Sequence, residues 1–153
     1  MDEQKKTYNY GYDEYQNDIR NLLEMIHVET KYDYHIIGVA RGGLVPATHL
    51  SNLMDCKMSV MKFQTRHGNV DEKCEWYGKP EYVNPMDRFI VIDEIYDSGK
   101  TIKQIQSDIS KSSVSKNQIS YYTIYGNKKA HDDNVTYLHE SNGRWIIFPW
   151  ERL

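Results

Sequence analysis

The sequence predicts an α/β domain, with a mostly parallel sheet flanked by helices. Three observations predict it. Short β-rich apolar runs alternate with helix-period segments, the order that produces βαβ units. One such run, Phe89-Ile90-Val91-Ile92, leads straight into Asp93 and Glu94, and a helical pattern follows at Ile102, Ile105 and Ile109. Charge therefore gathers where a buried strand ends, the place where open parallel sheets bind ligands. Finally, 153 residues suffice for one domain with its own core, and no repeat, low-complexity tract or linker divides them, so a single domain over 1–153 is expected.

Residues 1–11 are polar and read as a flexible arm. A helix is predicted from Asp13, with Ile19, Leu22, Leu23 and Ile26 on one face. His35 to Ala40 form a short buried strand, broken by Arg41-Gly42-Gly43. Leu44 to Met54 form a helix with Pro46 near its start, where proline is tolerated. Residues 58–63 alternate as another strand. Residues 64–87 carry Gly68, Gly78, Pro80, Pro85 and many charges without an apolar period. They read as a long mobile loop, of the kind that is usually functional or disordered. The strand at 89–93 and a helix over about 100–112 follow, then strands at 118–125, Val135 to Leu138 and Trp145 to Phe148.

Composition removes several function classes. A formal net charge of −3 argues against a nucleic-acid binder, whose affinity rests on cationic contacts to phosphates. No apolar run approaches the roughly 18 residues of a membrane span, and the opening Met1-Asp2-Glu3-Gln4-Lys5-Lys6 lacks the apolar core of a signal peptide. Cys56 and Cys74 stand far apart with no metal-site spacing, and the histidines form no zinc pattern. A cytoplasmic protein is expected.

The acids carry the chemistry. Adjacent strand residues face opposite sides, so Asp93 and Glu94 cannot both lie mid-strand without burying a charge, which is costly when unpaired. The strand end resolves this, beside a divalent cation, ribose hydroxyls or both, and magnesium prefers such oxygens. Asp97 lies in the loop and faces another part of the same ligand. Ser98-Gly99-Lys100-Thr101 open the helix, where free amides and the dipole favour an anion by about 0.3–1 kcal/mol. A phosphate monoester is the expected anion. The plain structural alternative is that Asp97 and Ser98 only cap the helix while the acids make surface pairs. A nucleoside-triphosphate loop is disfavoured, because Glu94 stands where that pattern needs its first glycine.

The run Val91-Ile92-Asp93-Glu94-Ile95-Tyr96-Asp97-Ser98-Gly99-Lys100-Thr101 resembles the 5-phosphoribosyl pyrophosphate (PRPP) signature of type I phosphoribosyltransferases. Ile36 to Ala47, with Arg41-Gly42-Gly43 inside it, is similar to that family's pyrophosphate loop and following helix. The tail Arg144-Trp145-Ile146-Ile147-Phe148-Pro149-Trp150-Glu151 resembles the end of small xanthine/hypoxanthine/guanine members, where such a run walls the base. The resemblance extends from about residue 12 to the C-terminus. It implies a PRPP-binding fold with a small hood of terminal segments, and transfer of 5-phosphoribosyl from PRPP to a 6-oxopurine, with Mg2+ as cofactor.

By that likeness Asp93 and Glu94 hold the ribose hydroxyls, directly or through magnesium waters, and Asp97 accepts the purine proton. Asp97, Ser98, Gly99, Lys100 and Thr101 surround the 5-phosphate. Ala40, Arg41 and Gly42 bind pyrophosphate, at a place where the peptide before the arginine can be cis in relatives; independently of the likeness, closure of the 64–87 loop would bring Arg66 or another basic residue to the same group. Trp145 stacks on or edges the base, Ile146 gives it backbone contacts, and Lys128 is the candidate reader of the 6-oxo group. A homodimer or homotetramer is expected, with no nucleic-acid or membrane partner.

Two departures stand out. Glu94 replaces the aspartate common at the second acid position. Asn127 occupies the natural match for the purine-reading lysine, with Lys128 one residue later. Two alternatives stay open: a sensor of PRPP or nucleotides that kept the fold and lost the chemistry, and a phosphoribosyltransferase for another base.

Overall fold

The computed structural model describes residues 5–66, 69–130 and 134–152, and the side chains of 64–73 and of Ala130 lie outside that description. Among the described residues eight strands and three α-helices follow one another: β1 (Thr7–Asn9), α1 (Tyr12–Ile26), β2 (Asp33–Ala40), α2 (Leu44–Met54), β3 (Lys57–Arg66), β4 (Asn69–Tyr77), β5 (Asp87–Tyr96), α3 (Lys100–Ser110), β6 (Ile119–Gly126), β7 (Val135–Glu140) and β8 (Trp145–Ile147). The main sheet has the order β4-β3-β2-β5-β6-β7. Its strands are parallel except for the β3–β4 hairpin at one edge.

The central strands are apolar on both faces, because helices cover both sides of a doubly wound sheet. Ile36, Ile90 and Ile92 point to one face, where they meet Ile19 and Leu22 of α1 and Ala47 and Leu50 of α2. Ile37, Val39, Phe89 and Val91 point to the other, against Ile102, Ile105 and Ile109 of α3. Each fully buried aliphatic side chain contributes about 1.5–3 kcal/mol through removal from water. The two layers together fix where the strand ends lie.

A second, two-stranded sheet joins the chain's two ends, with Thr7, Tyr8 and Asn9 beside Trp145, Ile146 and Ile147 in parallel. Tyr10 anchors it. Its ring is completely buried, edge-on to Phe148 at 5.5 Å and to Tyr125 at 5.6 Å. Its hydroxyl donates to Asp18 of α1 at 2.7 Å, and His139 Nε2 meets the same carboxylate oxygen at 2.8 Å. This small sheet is a hood over one side of the main one.

Three sequence expectations change here. Residues 7–9 are a paired strand, not part of an arm, while residues 1–4 lie outside the described set. The expected loop at 64–87 is largely a hairpin, since β3 runs to Arg66 and β4 occupies Asn69–Tyr77. An edge strand buries only part of its surface, so its apolar positions are sparse: Cys74 and Trp76 pack inward two residues apart. The Trp76 indole N–H donates to Ser59 Oγ at 3.0 Å, which fixes Trp76 within the hairpin. Finally, β5 does not end at the acids. Its ladder with β2 stops at Ile92, but pairing with β6 continues through Asp93, Ile95 and Tyr96.

Candidate active site

Where the β2 ladder stops, the edge of β5 opens into a cleft of about 250 Å³. On one wall is the turn after β2, with Ala40, Arg41 and Gly42; on the other are Asp93, Glu94, Asp97, Ser98, Gly99 and Thr101. The peptide bond between Ala40 and Arg41 is cis. The tight turn closes with Gly43 N–H donating to Val39 C=O at 2.9 Å and Leu44 N–H to Arg41 C=O at 3.1 Å.

Two glycines are required by this geometry. Gly99 has φ +81°, a left-handed conformation that starts α3 without a side chain. At Gly42 a Cβ would come within 2.0 Å of the Glu94 carboxyl carbon, so only glycine leaves room for that acid. The first α3 bond runs from Lys103 N–H to Gly99 C=O at 3.0 Å. The preceding amides have no partner within the helix. Ser98 Oγ lies 3.4 Å from Lys100 N–H, at the outer limit of a hydrogen bond, and Gly99 supplies no side-chain cap. The helix start is open to an anion, as a simple capping role for Asp97 and Ser98 would not leave it.

The two adjacent acids diverge. The Asp93 carboxylate accepts the Glu94 backbone N–H at 2.8 Å. Burial, with the Glu94 charge beside it, pushes the Asp93 carboxyl up to about 8. Glu94 turns the other way, across Gly42, and accepts the Trp150 indole N–H at 2.8 Å. Burial raises its carboxyl to about 7, against the lowering effect of the Trp150 bond. Trp150 itself stacks on Phe148 at 5.2 Å and sits edge-on to Tyr15. It therefore ties the hood to the strand acids and is absent from the cavity walls.

A second cavity, about 360 Å³, lies under the hood. Its walls include Trp145, Ile146, Phe148, Lys129 and Arg144, and it shares Glu94, Ile95 and Asp97 with the first cleft. Trp145 is 57% exposed and Ile146 is buried at 5%. An aromatic and an aliphatic side chain thus line a slot open to solvent, with cations at its rim.

The sequence-derived residues separate as follows. Ala40, Arg41, Gly42, Asp93, Glu94, Asp97, Ser98, Gly99 and Thr101 come together in the first cleft, and Trp145 and Ile146 in the second. Lys100 contributes a backbone amide to the helix start but does not line the cleft. Lys128 lines neither cavity. Its backbone N–H donates to the Glu140 carboxylate at 3.2 Å, and Lys129 lines the hood cavity instead. The short 3-10 turn over Lys128–Ala130 rotates successive residues by about a third of a turn, so a one-residue offset changes which lysine faces inward. Arg66 ends β3, and its side chain lies outside the described residues. Among the described residues no group of three metal-ligating side chains occurs.

A larger cavity, about 790 Å³, opens at the opposite ends of the strands around His35, Lys57 and Tyr82. It faces the C-terminal end of α2 at Met54 and Asp55, with Asp33, Glu81 and Asp87 nearby. The dipole and carboxylates there repel anions, so size does not make it the phosphate site.

A mostly parallel sheet with an open helix start at the carboxyl ends of its strands, and a hood over an adjoining slot, defines an α/β protein able to hold an anion beside a second molecule. The chain belongs to the phosphoribosyl transferase domain family, whose model matches residues 11–151. It is a phosphoribosyltransferase. Among curated relatives it is similar to the xanthine-guanine phosphoribosyltransferase of Desulfotalea psychrophila, 24% identical over 98% of this chain and 89% of that one. It is also similar to the protein of the same name from Gluconobacter oxydans, 25% identical over 76% of this chain and 67% of that one. The crystal structure of purine phosphoribosyltransferase from Pyrococcus horikoshii matches with a TM-score of 0.76 at 25% identity, covering 97% of this chain and 95% of that one. The Helicobacter pylori xanthine-guanine-hypoxanthine enzyme shares the fold, with a TM-score of 0.72 at 19% identity over 95% and 93% of the two chains.

Proposed function

We propose that the protein transfers 5-phosphoribosyl from PRPP to a 6-oxopurine and releases pyrophosphate. The observation that carries this reading is the position of Asp97, which lines both the anion cleft and the hood slot. A carboxylate shared by the two cavities stands where the sugar carbon and the incoming base nitrogen would meet. The names of the relatives support the purine class.

In this reading the amides opening α3, with Ser98 and Thr101, hold the 5-phosphate. Ala40, Arg41 and Gly42 take the pyrophosphate, and the Arg41 guanidinium neutralises charge as the leaving group departs. Asp93 and Glu94 serve the ribose hydroxyls. They also fit a magnesium ion, which prefers carboxylates plus substrate phosphates and water to an all-protein cage. When bound, the ion supplies charge neutralisation on the leaving group. Asp97 accepts the base proton, and Trp145 and Ile146 confine the ring while Lys129 offers a donor to an oxo group. The hood keeps water from the sugar carbon as positive charge develops.

A single cytoplasmic domain fits Cys56 and Cys74, which form no disulfide. Among the described residues no helix is long and apolar enough to cross a membrane. The expected two- or four-copy assembly is a question for light scattering.

The test is pyrophosphate release from PRPP and Mg2+ with xanthine, guanine, hypoxanthine or adenine. Turnover with a 6-oxopurine and not with adenine is expected. Turnover with adenine alone would reassign the base. No release with any base would favour the sensor reading.

A further inference from the structure

We infer that Asn127 is a positioning residue for Asp97: its side-chain amide holds one oxygen of that carboxylate and leaves the other for the substrate. The inference rests on the proposed role of Asp97. Asn127 Nδ2 donates to Asp97 Oδ1 at 3.3 Å. The orientation of the amide is set from its other end, because Asn127 Oδ1 accepts the Lys129 backbone N–H at 3.0 Å. An amide has one acceptor oxygen and one NH2 group, so with the oxygen engaged the donor must face Asp97.

The backbone fixes the same pair. Gly126 is the register partner of Tyr96 at the end of the β5–β6 ladder, and Asn127 N–H donates to Tyr96 C=O at 2.9 Å. Asn127 is thus pinned to the strand end from which Asp97 departs, by a bond that does not involve its side chain. Asp97 sits in an exposed bend, where a free carboxylate samples several rotamers. A second-sphere donor restricts it, and misplacement of a reacting group by about 1 Å can cost 10²-fold in rate. Asn127 lines the hood cavity but not the anion cleft, so its contribution falls on the base side of Asp97. The amide at the position expected to read the purine is used on the enzyme's own carboxylate, and Lys129 is among the cations that line the pocket.

Asn127→Asp separates positioning from loop support. The new carboxylate still accepts the Lys129 N–H but cannot donate to Asp97. Asn127→Asp and Asn127→Ala should each lower kcat by roughly 10- to 100-fold, the scale of a hydrogen bond to a charged group, with KM for PRPP unchanged. In an Asp97→Asn background, Asn127→Ala should cause no further loss of kcat. Circular dichroism and a melting curve identify any variant that has not folded. Wild-type kcat in Asn127→Asp, or a full additional loss in the double variant, would overturn the inference while leaving Asp97 catalytic. Undiminished turnover in Asp97→Asn would remove the acid/base role and the inference with it.

Discussion

In the anion cleft the walls come mainly from two contiguous runs, the turn after β2 at Ala40–Gly42 and the strand–loop–helix run from Asp93 to Thr101, each placed by one strand and the next few residues. In the hood slot the walls come from segments far apart in the sequence: residue 5, the end of β5 with Asp97, the turn after β6 and the C-terminal segment. A phosphate can be held by any residue that leaves its amide free, provided glycine allows close approach. A base must be walled by particular rings and donors. The cleft can therefore keep its form while the slot changes, and the two join through Asp97 and through Glu94's bond to Trp150.

The largest expected effect lies at the junction. Asp97→Asn should lower kcat by roughly 10²–10⁴-fold while PRPP still binds, if Asp97 is the acid/base group. Steady-state kinetics with excess PRPP and Mg2+, paired with calorimetric PRPP titration, checks both parts.

The cleft should next be broken without touching the slot. Gly99→Ala forces a side chain into a left-handed conformation, costing roughly 1–2 kcal/mol. It should raise KM for PRPP about tenfold or more, with base affinity little changed. A rise in base KM alone would place the anion cradle elsewhere.

Trp150→Phe tests the strut between the halves. It keeps the ring near Phe148 but leaves Glu94 without its indole donor, a loss of about 1–3 kcal/mol for a buried group. The melting temperature should fall, and the KM values of both substrates should rise together. A change confined to the base would mean that Glu94 does not couple the two cavities.

The smallest effect lies at the far edge of the sheet. His35 is buried, its Nε2 without a hydrogen-bond partner among the described residues, and burial holds its pKa below the usual 6.5. The folded state keeps it neutral, so the unfolded chain binds more protons below that value. Stability should be full above about pH 6.5 and should fall as the pH drops towards the depressed folded value. His35→Phe should flatten this slope in denaturant titrations without altering kcat. An unchanged slope would assign the acid sensitivity to other groups.

This contrast also explains what the sequence disclosed. The cleft was legible because its parts are contiguous: Arg41-Gly42-Gly43 follows β2 directly, and Asp93 to Thr101 is one strand–loop–helix run. The helix over Leu44–Met54 and the apolar face of α1 were legible for the same local reason. The β3–β4 hairpin was hidden because Cys74 and Trp76 carry its inward face among charged neighbours. Strand β1 has three residues, too few for any period. The continuation of β5 past Asp93 depends on β6, some thirty residues away, and strand pairing of that kind leaves no local trace. That Lys129 and not Lys128 lines the hood slot could not be read from spacing, because a short 3-10 turn gives no period to follow. Trp150 was expected at the base, whereas its indole meets an acid that glycine at position 42 makes room for.

The most direct test is a crystal structure with the nucleotide product of the base that supports turnover. The phosphate should lie on the amides at the start of α3, the ring between Trp145 and Ile146 with Lys129 near its oxo group, and the glycosidic bond within reach of Asp97. A nucleotide whose phosphate lies away from residues 98–101, or whose base lies outside the hood, would contradict the account.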